Sequence, residues 1–226
     1  GPVSLSDLNF DRDQINDSTV TLTSQVSENQ SLVWTHTISG YELSSQLILE
    51  GLNQEVEEDM LLVWEATGLN NEKGLEWEVQ HSSIYFKEQG MGRDYLSDGR
   101  SDELTTELPL EWMAFKQNFF SALVATPEGF GVGAELVTVL AEEDTSATML
   151  YSAALPLKGS QVGSNTSADL TFYFGPNEQM ALEATELEEA DRITDYGWWI
   201  FGWVNRHAIL PLYSFLTQYM ASAGII

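Results

Sequence analysis

Val20–Val26 reads VTLTSQV, Ser31–Ser39 reads SLVWTHTIS and Tyr41–Leu52 reads YELSSQLILEGL. β-Branched and aromatic residues alternate with polar ones in these runs, the period of a half-buried strand. Ser39-Gly40 between the second and third runs supplies the turn of a hairpin. The same texture continues at Met60–Ala66, Ser83–Lys87, Trp112–Ala125, Ala134–Leu140, Thr148–Leu155 and Ala168–Phe174. Asn53–Asp59, Gly68–Gly74, Gly90–Asp102, Thr126–Gly133 and Lys158–Ser167 read as loops between them. Strands that follow one another without intervening helices predict an antiparallel sandwich, not a parallel α/β sheet.

The character changes at Gly175-Pro176-Asn177. Asn177 is placed as a helix N-cap, with Glu178 at the positive end of the helix dipole. Residues 178–190, EQMALEATELEEA, are strong helix formers. From Asn177 to Asp195 there are seven acids and one base, Arg192. This stretch, 177–196, is expected to be a solvated acidic helix or ordered linker. It follows a β-domain over residues 3–176, and Gly1-Pro2 reads as the remnant of an expression tag.

Residues 197–226 read GWWIFGWVNRHAILPLYSFLTQYMASAGII, with seven aromatics and one full charge, Arg206. On a helix, Ile200, Phe201, Val204, Ala208, Leu212, Phe215, Leu216 and Tyr219 share one apolar face. Trp199, Trp203, Arg206, His207, Ser214 and Thr217 fall on the other side. Indoles, a cation and small polar groups together suit the water–lipid boundary, and Pro211 kinks or divides the helix. A membrane span needs about 20 mainly apolar residues. The polar positions from Asn205 to Ser222 make this an interfacial segment instead. Trp198, Trp199, Phe201, Trp203, Arg206 and Phe215 are its candidate membrane contacts, although the segment could also pack onto the sandwich.

The body is strongly acidic: nine Lys plus Arg against 35 Asp plus Glu give a net charge of −26. Phosphate binding needs clustered cations, so nucleic acid is not expected as a partner. An anionic lipid surface offers no attraction either. There is no cysteine, which excludes disulfides and thiolate chemistry. Asp11, Asp13 and Asp17 begin like a calcium loop, but the fifth, sixth and twelfth positions hold Ile15, Asn16 and Leu22, so the stretch reads as a surface turn. Glu55, Glu57, Glu58 and Asp59 form a charge run in a loop. His36, His81 and His207 lack metal-binding spacing, and the chain has no HExxH, GxSxG or phosphate-loop motif. No catalytic, cofactor or metal site is expected.

Three motifs occur in order: Glu111–Phe120 as EWMAFKQNFF, Tyr173–Asn177 as YFGPN, and Asp195–Trp198 as DYGW running into WIFGWVNRHAILPLYSFL. Together they resemble the YidC membrane-protein insertases of Gram-negative bacteria, Bacteroidetes-like branch, with Gly175, Pro176, Gly197 and Trp198 as the motif residues. The resemblance implies the large periplasmic domain, a mutarotase-like antiparallel β-supersandwich followed by helices that lead onto the inner membrane. It implies no cofactor. It implies the Sec translocon, nascent membrane proteins and the bilayer surface as partners of the full-length protein. Ala223–Ile226 would begin a transmembrane helix, and Arg206 is not the arginine of the family's membrane groove. The competing reading is a carbohydrate-binding or mutarotase-like enzyme, for which His36 and His81 are the candidate groups of the β-region.

Overall fold

A computed structural model describes residues 4–51, 60–71, 73–141, 146–162 and 165–194. Alternation dominates its N-terminal third. β1 (Asp11–Gln14), β2 (Thr19–Ser27), β3 (Gln30–Ser39) and β4 (Glu42–Glu50) form an antiparallel meander. Gly40, at φ 59°, opens the two-residue turn between Ser39 and Glu42, the positive-φ geometry that matches strand twist. The strands β5 (Met60–Leu69), β6 (Ser83–Glu88), β7 (Arg93–Tyr95), β8 (Asp102–Thr105), β9 (Leu110–Lys116) and β10 (Phe120–Ala125) follow. Then come β11 (Glu135–Leu140), β12 (Ala147–Leu157), β13 (Ser160–Val162) and β14 (Asn165–Pro176).

Two stacked sheets result. The larger runs β1-β2-β3-β4-β14-β10-β9-β6-β7, with β13 added beside β14; the smaller runs β5-β12-β11-β8. Every described pairing is antiparallel. This is the expected antiparallel supersandwich.

The inter-sheet core lies over β14, β10, β9 and β6. Phe115 of β9 is 2% exposed. Its ring centroid is 4.5 Å from that of Trp64 on β5 and 5.1 Å from that of Tyr151 on β12. Trp64 also meets Phe172 of β14 edge-on at 5.5 Å. The Tyr151 hydroxyl donates to the Lys116 carbonyl at 2.9 Å, and burial pushes its pKa up, so it remains a donor. On the outer face of β2 and β3, threonines pair instead: Thr19 with Thr37 and Thr21 with Thr35, at 3.2 and 3.1 Å. That half of the larger sheet therefore keeps one polar face.

The structure corrects several sequence expectations. Trp112–Ala125 is not one strand but the hairpin β9–β10, because Gln117-Asn118 turn the chain and the Gln117 N–H closes on the Phe120 carbonyl at 2.9 Å. The expected surface turn at Asp11 is the exposed edge strand β1 as far as Gln14; only Asn16–Ser18 turn, the Asn16 Oδ1 accepting from the Ser18 N–H at 2.8 Å. The loop Gly90–Asp102 contains β7 and the first residue of β8, and Lys158–Ser167 folds back as β13 and the start of β14. A short helix, α1 (Leu75–Gln80), stands between β5 and β6. Asn53–Asp59 lies outside the described residues. Phe115→Ala should cost roughly 3–5 kcal/mol in equilibrium unfolding with an unchanged denaturant slope, because two rings lose their shared neighbour.

Candidate functional site

β14 ends on the sequence that carries the second motif. Gly175 pairs with Ser121 and Pro176 with Phe120. A methyl group at Gly175 would stand 2.5 Å from the Tyr173 ring, which folds back along its own strand. Tyr173 is 1% exposed, and its hydroxyl donates to the Pro176 carbonyl at 2.6 Å. Burial, with Tyr41 and Glu178 adding to it, raises its pKa to about 12. The glycine is thus demanded by a ring that must reach past it.

Asn177 does not cap the following helix. Its Oδ1 accepts from the Ser121 hydroxyl at 2.6 Å, and its Nδ2 donates to the carbonyls of Gln117 and Asn118 at 2.7 and 3.2 Å. Its own N–H donates to the Phe119 carbonyl at 2.7 Å. One side chain therefore closes the β9–β10 turn and fastens the end of β14 to it.

The helix expected over residues 178–190 is broken. α2 covers only Gln179–Glu183, and a 3-10 turn follows at Ala190–Ile193. Glu186 and Glu189 hold positive φ, 58° and 63°, at about 1–2 kcal/mol each for an L-residue. Packing opposes that cost. Leu182, Ala190 and Ile193 are fully buried against Tyr85, Trp112, Leu123 and Tyr173 on the outer face of the larger sheet. Burying each of the two larger side chains contributes about 1.5–3 kcal/mol. The segment is a cover for the sheet, not a solvated helix.

Polar contacts fix its register. The Trp112 Nε1–H donates to the Glu188 carbonyl at 3.0 Å. The Lys87 ammonium lies 2.6 Å from the Glu111 carboxylate and 3.2 Å from that of Glu188. Lys87 is 3% exposed, against 34% for Glu111 and 75% for Glu188. Burial works to lower the Lys87 pKa, but the two carboxylates outweigh it and the net shift is upward. Glu189 accepts the Arg93 N–H at 2.7 Å, and that bond leads in holding its pKa below the ordinary 4.5. Arg93 itself lies over the Tyr85 ring at 5.0 Å.

Beyond the 3-10 turn, Thr194 lines a cavity of about 400 Å³ together with His81, Lys116, Phe119, Phe120 and Asn177. Gly197, Trp198, Trp199, Phe201, Trp203, Arg206 and Phe215 lie outside the described residues, as do Glu55, Glu57, Glu58 and His207. His36 and His81 are not brought together. His36 sits on β3 beside Trp34, at 4.6 Å between rings; its Nδ1 is buried without a partner among the described residues, and burial holds its pKa below 6.5. His81 follows α1, stacked on Trp77 at 4.3 Å. With β4, β14, β10 and β9 between them, the separation is on the order of 24 Å at about 4.8 Å per strand. Among the described residues no group of acids and histidines could hold a metal ion, and no helix is long and apolar enough to cross a membrane.

The family model described as the YidC periplasmic domain matches residues 8–206. The chain belongs to the YidC periplasmic domain family. The membrane protein insertase YidC of Parabacteroides distasonis is 28% identical, across 99% of this chain and 37% of that protein. That of Porphyromonas gingivalis is 32% identical, across 84% of this chain and 30% of that protein. The chain thus spans about a third of the length of these relatives. A galactose mutarotase related enzyme from Lactobacillus acidophilus overlays 74% of this chain and 71% of its own at 6% identity, with a TM-score of 0.38, too low to carry a reading of the site. Within the YidC motifs, Trp112 and Asn177 now have structural roles, but Lys87, Glu188, Glu189 and Arg93 were not singled out by sequence. The one signal for them was LEWMAFK at Leu110–Lys116, whose apolar residues occupy both faces and so require a second cover.

Which partner of the ion pair is removed should matter. Glu111→Ala leaves a buried ammonium short of a carboxylate and should cost roughly 2–4 kcal/mol, whereas Lys87→Met leaves one acid partly and the other mostly exposed to water and should cost under about 1 kcal/mol, both by denaturant unfolding. A depressed carboxylate pKa stabilises the fold above the unfolded value and loses that contribution as pH falls through the folded one. Melting temperature should therefore drop as pH falls below 4.5, and Glu189→Gln should flatten that drop while lowering the value at neutral pH.

Proposed function

We propose that this chain is the periplasmic module of a bacterial inner-membrane protein insertase, acting as a scaffold and docking domain without catalysing a reaction. Residues 3–176 form the sandwich, 177–196 the acidic connector and 197–226 an amphipathic segment at the membrane interface. The observation that carries this reading is the junction at Pro176–Thr194. It is clamped to the larger sheet by Asn177, Leu182, Trp112 and Ile193. A rigid body thus hands on a chain whose next residues include Trp198, Trp199 and Trp203. Membership of the YidC periplasmic family supports the same reading. In the complete protein the partners are the Sec translocon and nascent membrane proteins, with the bilayer surface met by Trp198, Trp199, Phe201, Trp203, Arg206 and Phe215.

A net charge of −26 sets the lipid preference. Indoles bind the interface of zwitterionic membranes without needing charge, while anionic headgroups repel the body. In flotation with phosphatidylcholine vesicles, the triple change Trp198→Ser, Trp199→Ser and Trp203→Ser should reduce the bound fraction severalfold. The same change in the complete protein should lower insertion of client membrane proteins in cells. Unchanged binding and insertion would overturn the role given to this segment.

A further inference from the structure

Six large apolar side chains stand at one end of the larger sheet, each about half exposed or more: Tyr41 55%, Trp77 57%, Phe119 53%, Phe120 58%, Phe174 48% and Met180 69%. The sheet register places them together. Phe119 and Phe120 close the β9–β10 hairpin, and Pro176 pairs with Phe120. The Phe174 N–H donates to the Tyr41 carbonyl at 2.8 Å, which brings in the β3–β4 turn. Met180 follows three residues after Asn177, whose N–H is bonded to Phe119. Trp77 stacks on His81, which lines the same cavity as Phe119 and Phe120. None of the six is charged, although the chain is strongly acidic. Lys116 and Glu178 also line that cavity, but six large exposed apolar groups gathered at one end of a sheet mark an interaction surface.

The occupant is indicated by where the chain goes. Thr194 lines the cavity at this same end, and the 32 residues after it contain Trp198, Trp199, Trp203 and Arg206. We infer that this rim of the sandwich is itself a bilayer-docking surface: Phe119, Phe120 and their neighbours seat the end of the larger sheet in the headgroup region of a zwitterionic membrane, alongside the segment after Thr194. Aromatic rings are suited to that region, where part of each ring stays wet. The inference rests on the interfacial role proposed for residues 197–226, and extends the membrane contact from that segment to the folded body. Two contacts on one rigid body would fix the angle between the sheet and the membrane, which a single flexible attachment leaves free.

The absence of cysteine makes the test clean. A single Phe119→Cys in the full chain carries an environment-sensitive fluorophore, and Leu108→Cys, just before β9 at the opposite end of the sheet, is the control. On phosphatidylcholine vesicles, emission from position 119 should shift to the blue and rise severalfold, with position 108 unchanged. Vesicle binding by flotation with no change at 119 would overturn the inference while leaving the proposed role of residues 197–226 standing. An equal change at 108, or a concentration-dependent change at 119 without vesicles, would also overturn it, the latter because the rim would then join copies of the chain. A vesicle signal at 119 that survives replacement of Trp198, Trp199 and Trp203 by Ser would support the rim and sink the role of the tryptophans instead.

Discussion

Strand β9 is buried on both faces, and the rest of the structure is arranged around that constraint. Leu110, Met113 and Phe115 belong to the inter-sheet core, while Trp112 and Ala114 face the other way and are equally inaccessible. A sheet strand with one solvated face needs one cover; this one needs two. The smaller sheet supplies the first. The second must come from a segment of chain that crosses the outside of the larger sheet, and residues 179–193 are the segment that does so. The short α2, the left-handed Glu186 and Glu189, and the 3-10 turn carry Leu182, Ala190 and Ile193 across that face.

The ion pair at Lys87 follows from the same geometry. Lys87 is on β6, next to β9, and pairs across the ladder with Trp112. Closing the C-terminal cover over Trp112 also closes it over the lysine. An ammonium so enclosed is tolerable only where carboxylates reach it, and Glu111 does so from the neighbouring strand while Glu188 does so from the cover itself. Glu188 is mostly exposed, so its Coulomb contribution is screened and small. Its backbone carbonyl, receiving the Trp112 indole, matters more than its charge. The acidity of residues 177–196, which in sequence suggests only solvation, therefore includes two acids with specific tasks: Glu188 at the lysine and Glu189 at the Arg93 amide.

Much of the fold was legible because period-two alternation is a local signal. β2, β3 and β11 could be read to within one residue at each end. What escaped was decided by distant partners. The β9–β10 hairpin was hidden because its turn carries no glycine or proline and lies between apolar runs, and because it is held by Asn177, some sixty residues away in sequence. That same commitment removed Asn177 from the helix cap its position suggested. The helix expected over 178–190 rested on propensity, which is worth tenths of a kcal/mol per residue; burial against Trp112 is worth several times more and overrode it. The edge strand β1 was missed because its residues are all exposed and charged or polar, as suits a protected edge. Of the site, the GPN motif could be found in sequence; Lys87 and Arg93 could not, since a lone base on a strand carries no spacing.

The two ends of the larger sheet are consequently unlike. At one end, the β9–β10 hairpin, the end of β14, the β3–β4 turn and the last described residue of the cover converge, tied by Asn177. Gly175 permits this convergence, because a side chain there would push Tyr173 away from the Pro176 carbonyl and loosen the strand end that Asn177 holds. The YFGPN motif is thus a geometric device: the tyrosine braces the strand terminus, the glycine makes room for it, the proline presents a carbonyl without an N–H to satisfy, and the asparagine locks the hairpin. Its product is a fixed exit for the chain. The register of β9, β10 and β14 gathers Phe119, Phe120 and Phe174, with Tyr41 beside them, at this same end.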